Sequence, residues 1–231
     1  MFSGAQISLC PMSDDFIGII LGAIGALDPW RDRLRIETDD LSTLMVGPPE
    51  ILFPAMRDLF VAAARTGVHC TLHATVSRGC PGEPDDPICT PLGGLPPGAP
   101  MADRIAAARA GVAAAGLTGQ PVAAQFSLYP LGLGHHMEEI YGCIDFLKSS
   151  GTFERSKNFC TKLRGDAGPV FETLSQAFTG FGAQTGHVTL DVILWANSAS
   201  KIGIFDTGER SSAEPGFKVC RLGAGRNTIC Q

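Results

Sequence analysis

The stretch "AQISLCPM", residues 5–12, returns as "AQFSLYPL", residues 124–131, with Ala, Gln, Ser, Leu and Pro held in place at a spacing of 119. In the first copy Gln6, Ser8 and Cys10 alternate with Ala5, Ile7 and Leu9, the period-two pattern of a strand with one apolar face. Pro11 stops it. Further along, at a spacing of 118, Thr43 matches Thr161, Gly47 Gly165, Phe53 Phe171, Phe60 Phe178, His69 His187, Thr71 Thr189 and Leu72 Leu190. Matches spread over the whole unit mean duplication with one net residue lost in a loop, so the two halves must share a fold.

The order of elements follows from the same stretch outward. Ser13 of "SDDF" reads as an N-cap with two acids in the first turn, and "FIGIILGAIGAL", 16–27, as a buried helix broken by "DPW". "RLRIET" and "LSTLMVG" form a hairpin turning near Asp39 and Asp40. Pro48 or Pro49 starts a helix whose stripe is Ile51, Leu52, Ala55, Met56, Leu59, Phe60 and Ala63, with Pro54 bending its first turns. "VHCTLHATV", 68–76, closes the unit as a strand. The second half repeats the order: "VAAQFSLY", a helix over "HHMEEIYGCIDFLK", strands near "TFERS" and "FCTKLRG", a helix over "PVFETLSQAF", and "HVTLDVILW".

A βαββαβ unit lays two helices on one face of a four-stranded antiparallel sheet, the ferredoxin-like arrangement. The expected class is therefore α+β, two tandem ferredoxin-like repeats with antiparallel sheets and helices on one face. The first repeat spans 1–80 and the second 120–198; a Pro- and Gly-rich connector with an Ala-rich helix fills 81–119. Residues 199–231 have no counterpart in the first half and are expected to be a loosely ordered tail. The sheet face away from the helices needs a cover or a ligand, which makes a homodimer a natural expectation.

Composition narrows function. A chain of 231 residues, 45% hydrophobic and 18% charged, is a folded protein, and its formal charge of −5 argues against a nucleic-acid partner. The longest apolar run is 12 residues, short of a membrane span of roughly 20, and it follows Asp14 and Asp15 and not a basic segment, so neither membrane insertion nor a secretory signal is expected. A cytoplasmic location suits free, buried thiols at Cys10, Cys70, Cys143 and Cys160; Cys80 with Cys89 and Cys220 with Cys230 fall in loops where a bridge could form.

Candidate chemistry is sparse. The polar pair Gln6 and Ser8 recurs as Gln125 and Ser127 while the apolar residue between them drifts from Ile7 to Phe126, which singles out the polar identities. Thr43 and Thr161 open the third strand of each half and offer a hydroxyl that donates and accepts. A heteroaromatic ring with ring nitrogens and an exocyclic amine needs that mixture beside an apolar slot. His69 with His73, and His187 with Asp191, share strand faces and could begin a metal site, and His135 with His136 sits at a solvent-facing helix start. No GxSxG, Walker loop, GxGxxG or CxxC is present, and the acidic pairs Asp14–Asp15 and Glu138–Glu139 are explained by helix dipoles. The balance favours a binding protein with no cofactor. Two other readings stand beside it: a metal-dependent enzyme using the strand histidines, and an ACT-like regulatory module.

With "SLCPMSDDF", "TDDLST" and "GCPG" in the first half, and "QFSLYP", "GTFERS", "LRGDAGPVFETL" and "ANS" in the second, the chain resembles the YkoF-type thiamin/hydroxymethylpyrimidine-binding family over residues 5–84 and 120–198. The resemblance implies a soluble, cytoplasmic homodimer of two ACT-like repeats per chain, one small-molecule pocket per repeat, no catalysis, and a part in thiamin transport or salvage, transporter components included. Carried over, the first pocket uses Ser8, Leu9 through its backbone, and Thr43; the second uses Ser127, Leu128 and Thr161. Cys10 stands where the family has Tyr, which Tyr129 keeps, and Lys162 and Arg164 stand opposite Leu44 and Val46. Unequal affinities of the two pockets follow from those differences.

Overall fold

In the computed structural model, which describes residues 3–79, 99–131, 136–182 and 186–198, the opening stretch forms β1 (Ser3–Pro11), with Ala5 and Ile7 buried and Gln6 and Cys10 exposed. It is followed by α1 (Phe16–Gly25), a short 3-10 turn at Asp28–Trp30, β2 (Arg35–Thr38), β3 (Thr43–Val46), α2 (Pro49–Ala64) and β4 (Cys70–Arg78). The Ala-rich segment is α3 (Met101–Ala114). The second half runs β5 (Pro121–Leu131), α4 (His136–Ser149), β6 (Phe153–Ser156), β7 (Thr161–Asp166), α5 (Ala167–Gly180) and β8 (His187–Ala196).

The eight strands form one antiparallel sheet in the order β2-β3-β1-β4-β8-β5-β7-β6. Separate sheets were expected. They fuse because β4 and β8, the last strand of each half, pair from Cys70 opposite Ala196 to Arg78 opposite Val188. A strand edge left open would strand a row of N–H and C=O groups, and mutual pairing satisfies both edges at once. The apolar core lies between the sheet and the helices, with Phe53, Phe60, Phe146 and Phe178 fully buried.

Three expectations are corrected. First, α1 starts at Phe16, past the acids; Ser13 Oγ accepts only the Asp15 N–H, at 3.2 Å, and no side chain caps the helix. Second, α1 is not a buried helix: Ile19 and Ala23 are covered, while Phe16, Ile17 and Leu21 are exposed, because α2 and β1 cover one stripe of it. Third, Cys10 is exposed, since it points to the sheet face away from the helices; Cys70 and Cys143 are buried and Cys160 is half-buried, all without a disulfide. Residues 80–98 and the tail from 199 lie outside the described residues, and with them Cys80, Cys89, Cys220 and Cys230, as does His135.

The second half is anchored at both ends of α5. At its start Asp166 is the N-cap and accepts from the N–H groups of Gly168 and Thr118 at 2.8 Å and of Gly119 at 2.7 Å. Burial pushes this carboxyl up, but those donors and the Thr118 hydroxyl outweigh it and hold the group below the ordinary range. The backbone approaches so closely here that a Cβ at Gly168 would collide with the Gly116 carbonyl oxygen. At its end the buried Arg78 guanidinium donates to the carbonyls of Phe178, Phe181 and Gly182 at 2.8–2.9 Å. Glu139 accepts a two-pronged bond from Arg104 and the Gly182 N–H, all at 2.8 Å, an ion-pair role beyond dipole complementation.

Candidate functional site

In each half the first strand outruns its neighbour. The β5–β7 ladder ends where Phe126 meets Thr161, but β5 continues to Leu131; likewise the β1–β3 ladder ends where Ile7 meets Thr43 while β1 continues to Pro11. Among the described residues no strand lies beside the backbone edge beyond each ladder. The hairpin tip arches over that gap and is fastened there by a serine. Ser127 Oγ donates to the Phe159 carbonyl at 2.7 Å, and Ser8 Oγ donates to the Leu41 carbonyl at 3.1 Å. The two recurring serines thus hold equivalent tips, whose apolar side chains stand out in solvent, Leu41 80% and Phe159 90% exposed.

Beneath the second tip lies a cavity of about 310 Å³ between β5, α4 and the β6–β7 hairpin. Ser127, Leu128 and Thr161, the three residues carried over for this half, all line it, with Tyr129 and Phe159 beside them. Its apolar wall is Phe126 with Ile140, Cys143, Ile144 and Leu147. Burial pushes the Cys143 thiol up to about 12, so it stays protonated and serves as an apolar wall atom, without nucleophilic character. Lys157, Asn158 and Phe159 were missed in the sequence. The signal was present, because an apolar residue occupies the turn tip in both copies, Leu41 opposite Phe159.

In the first half Ser8 and Leu9 occupy the same positions on the overrunning strand. Thr43 is buried where Thr161 is half-buried, and its Oγ1 lies 3.0 Å from Thr38 Oγ1 across the hairpin. The tip is also held by Asp39, whose Oδ1 accepts from the N–H groups of Leu41 and Ser42 at 2.8 Å. The Leu41 and Ser42 N–H groups keep that carboxyl below the ordinary aspartate range. Large apolar side chains are exposed on the same three elements of each half: Met12, Phe16, Ile17, Leu21 and Leu41, then Leu131, Met137, Tyr141 and Phe159 with the half-exposed Tyr129.

The strand histidines lie elsewhere. His73 Nε2 sits 2.8 Å from Asp191 Oδ2 and His187 Nε2 sits 3.0 Å from Ser77 Oγ, all on the sheet face opposite the helices. His69 precedes β4, with its Nε2 buried and without a hydrogen-bond partner, and His136 is exposed at the start of α4. Among the described residues no three His, Cys, Asp or Glu side chains come together to hold a metal. Lys162 and Arg164 share the single carboxylate of Glu154, at 2.7 and 2.6 Å, so one positive charge of the trio is uncompensated. No described helix is long and apolar enough to cross a membrane.

A family model described as the YKOF-related family matches the chain twice, at residues 2–83 and 121–201. The curated relative YkoF of Bacillus subtilis (strain 168), whose name gives it a provisional role as an HMP/thiamine-binding protein, is 32% identical over 199 residues, covering 86% of this chain and 92% of the relative.

Proposed function

The chain belongs to the YKOF-related family, and on that premise we propose that it binds thiamin or its hydroxymethylpyrimidine moiety without catalysis, one pocket in each of two tandem ferredoxin-like repeats. The observation that carries this reading is the cavity under the Phe159 tip, where an apolar slot meets Ser127, the unpaired edge of β5 at Leu128, and Thr161. A flat heteroaromatic ring is suited to such a slot, its faces against apolar side chains and its edge toward a few fixed polar groups. The Ser127 O–H is committed to the Phe159 carbonyl, so toward a ligand its oxygen offers lone pairs, which suits an exocyclic amine. Thr161 can both donate and accept, and a pyrimidine nitrogen needs a donor.

Ser8, Leu9 and Thr43 take the corresponding roles in the first half. Thr43 is the more buried of the two threonines, and Cys10 replaces the aromatic Tyr129, so the first pocket is the weaker of the two for an uncharged ring. The exposed apolar residues around both mouths are what a homodimer or a transporter component would cover, consistent with a role in thiamin transport or salvage in the cytoplasm.

Calorimetric titration with thiamin, thiamin monophosphate and hydroxymethylpyrimidine tests the proposal. Two unequal binding steps are expected, and Thr161→Val should abolish or weaken one of them. Absence of binding by all three compounds overturns the reading, and two identical steps overturn the inequality.

A further inference from the structure

The two tips differ in charge, and the second of them lines the cavity. The first tip, "DDLS" at 39–42, carries two carboxylates; the second, "KNFC" at 157–160, carries one ammonium and no acid. The tips share a backbone frame: the Asp39 N–H donates to the Ser42 carbonyl at 3.0 Å and the Lys157 N–H to the Cys160 carbonyl at 2.8 Å. The recurring glutamines adapt to the difference. Gln6 turns its amide nitrogen to Ser42 Oγ, whereas Gln125 turns its amide oxygen to Lys157 Nζ, at 2.7 Å.

Lys157 itself lines the cavity, and its ammonium has three N–H donors of which Gln125 takes one. The remaining two are available to an oxyanion within reach of the tip. The other cations of this hairpin, Arg155, Lys162 and Arg164, do not line the cavity, and the last two share Glu154. In the first half Asp39 stands in the place of Lys157 and is locked as an anion by the loop N–H groups, with Asp40 beside it.

Resting on the function proposed above, we infer that the second pocket is the one that accepts a ligand bearing a phosphate ester, with Lys157 as its specificity determinant. The first pocket, with Asp39 and Asp40 at its tip, disfavours the phosphate ester and suits the cationic thiazolium of thiamin. A charge-assisted contact from Lys157 to phosphate at a partly solvated mouth favours the ester by about tenfold.

The test is calorimetric titration of the full chain with thiamin and with thiamin monophosphate, in the wild type, Lys157→Asp and Lys157→Gln. The wild type should bind the monophosphate about tenfold more tightly than thiamin at one step, with a preference that falls as salt is raised. Lys157→Gln should remove the preference and Lys157→Asp should reverse it, while thiamin still binds. If thiamin binds but the monophosphate gains nothing at either step, or if the preference survives both substitutions, this inference fails and the binding function stands. If neither compound binds the wild type, both fail.

Discussion

Replacing Arg78 by Met isolates a contact that ties the two halves together. Arg78 ends β4 in the first half, is 1% exposed, and donates to the last carbonyls of α5 and the turn after it in the second half. The Phe178 carbonyl has no i+4 partner, because the Gly182 N–H donates to Glu139, and the residue after α5, Phe181, is extended and provides no glycine cap. Burial pushes the guanidinium down to about 10, so it is still cationic at neutral pH and complements the negative end of the helix. Each bond to a charged donor contributes about 1.5–3 kcal/mol, and leaving several buried acceptors unpaired adds desolvation, set against the cost of burying the cation itself. The net loss in Arg78→Met is about 3–4 kcal/mol. With a urea m-value of about 3 kcal/mol/M for a unit of this size, the unfolding midpoint should fall by about 1 M. Arg78→Lys keeps the charge but loses the fork, and should recover roughly half of the loss. A midpoint shift in Arg78→Met of less than about 0.3 M would refute this reasoning, and Lys behaving no better than Met would refute the charge contribution.

Glu139 predicts acid sensitivity. The bond from Arg104 holds its carboxyl below the ordinary glutamate value despite burial, so its contribution is full above that value and is lost as pH falls through the folded value. Urea midpoints measured from pH about 7 down to about 3 should fall more steeply in the wild type than in Glu139→Gln, and parallel curves would contradict the assignment. Phe159→Ala should weaken one ligand-binding step by about five- to tenfold through faster dissociation, with an unchanged urea midpoint because the ring is exposed in the unliganded protein. Leu41→Ala should act on the other step, and stopped-flow dissociation rates would show whether the two tips act independently.

Much of the fold was legible because it is written in local patterns. The alternation of Ala5, Ile7 and Leu9 against Gln6, Ser8 and Cys10 needs only the pleat of a strand to be read, and the duplicated order of elements needs only matches at a constant spacing. Ser127 and Thr161 could likewise be singled out by their recurrence, whereas Leu128 came only with the family resemblance. Tertiary structure decided what no local pattern encodes. Edge satisfaction between β4 and β8, strands far apart in the chain, made one sheet of the two halves. One-sided packing against α2 and β1 left Phe16, Ile17 and Leu21 of the apolar α1 in solvent. Long-range packing also sorted the charges: Lys162 and Arg164 share Glu154 on the hairpin, while Lys157 alone of its cations lines the cavity. Periodicity fixes which way a side chain points along its own element, but its partner comes from another part of the chain, and only the folded structure brings the two together.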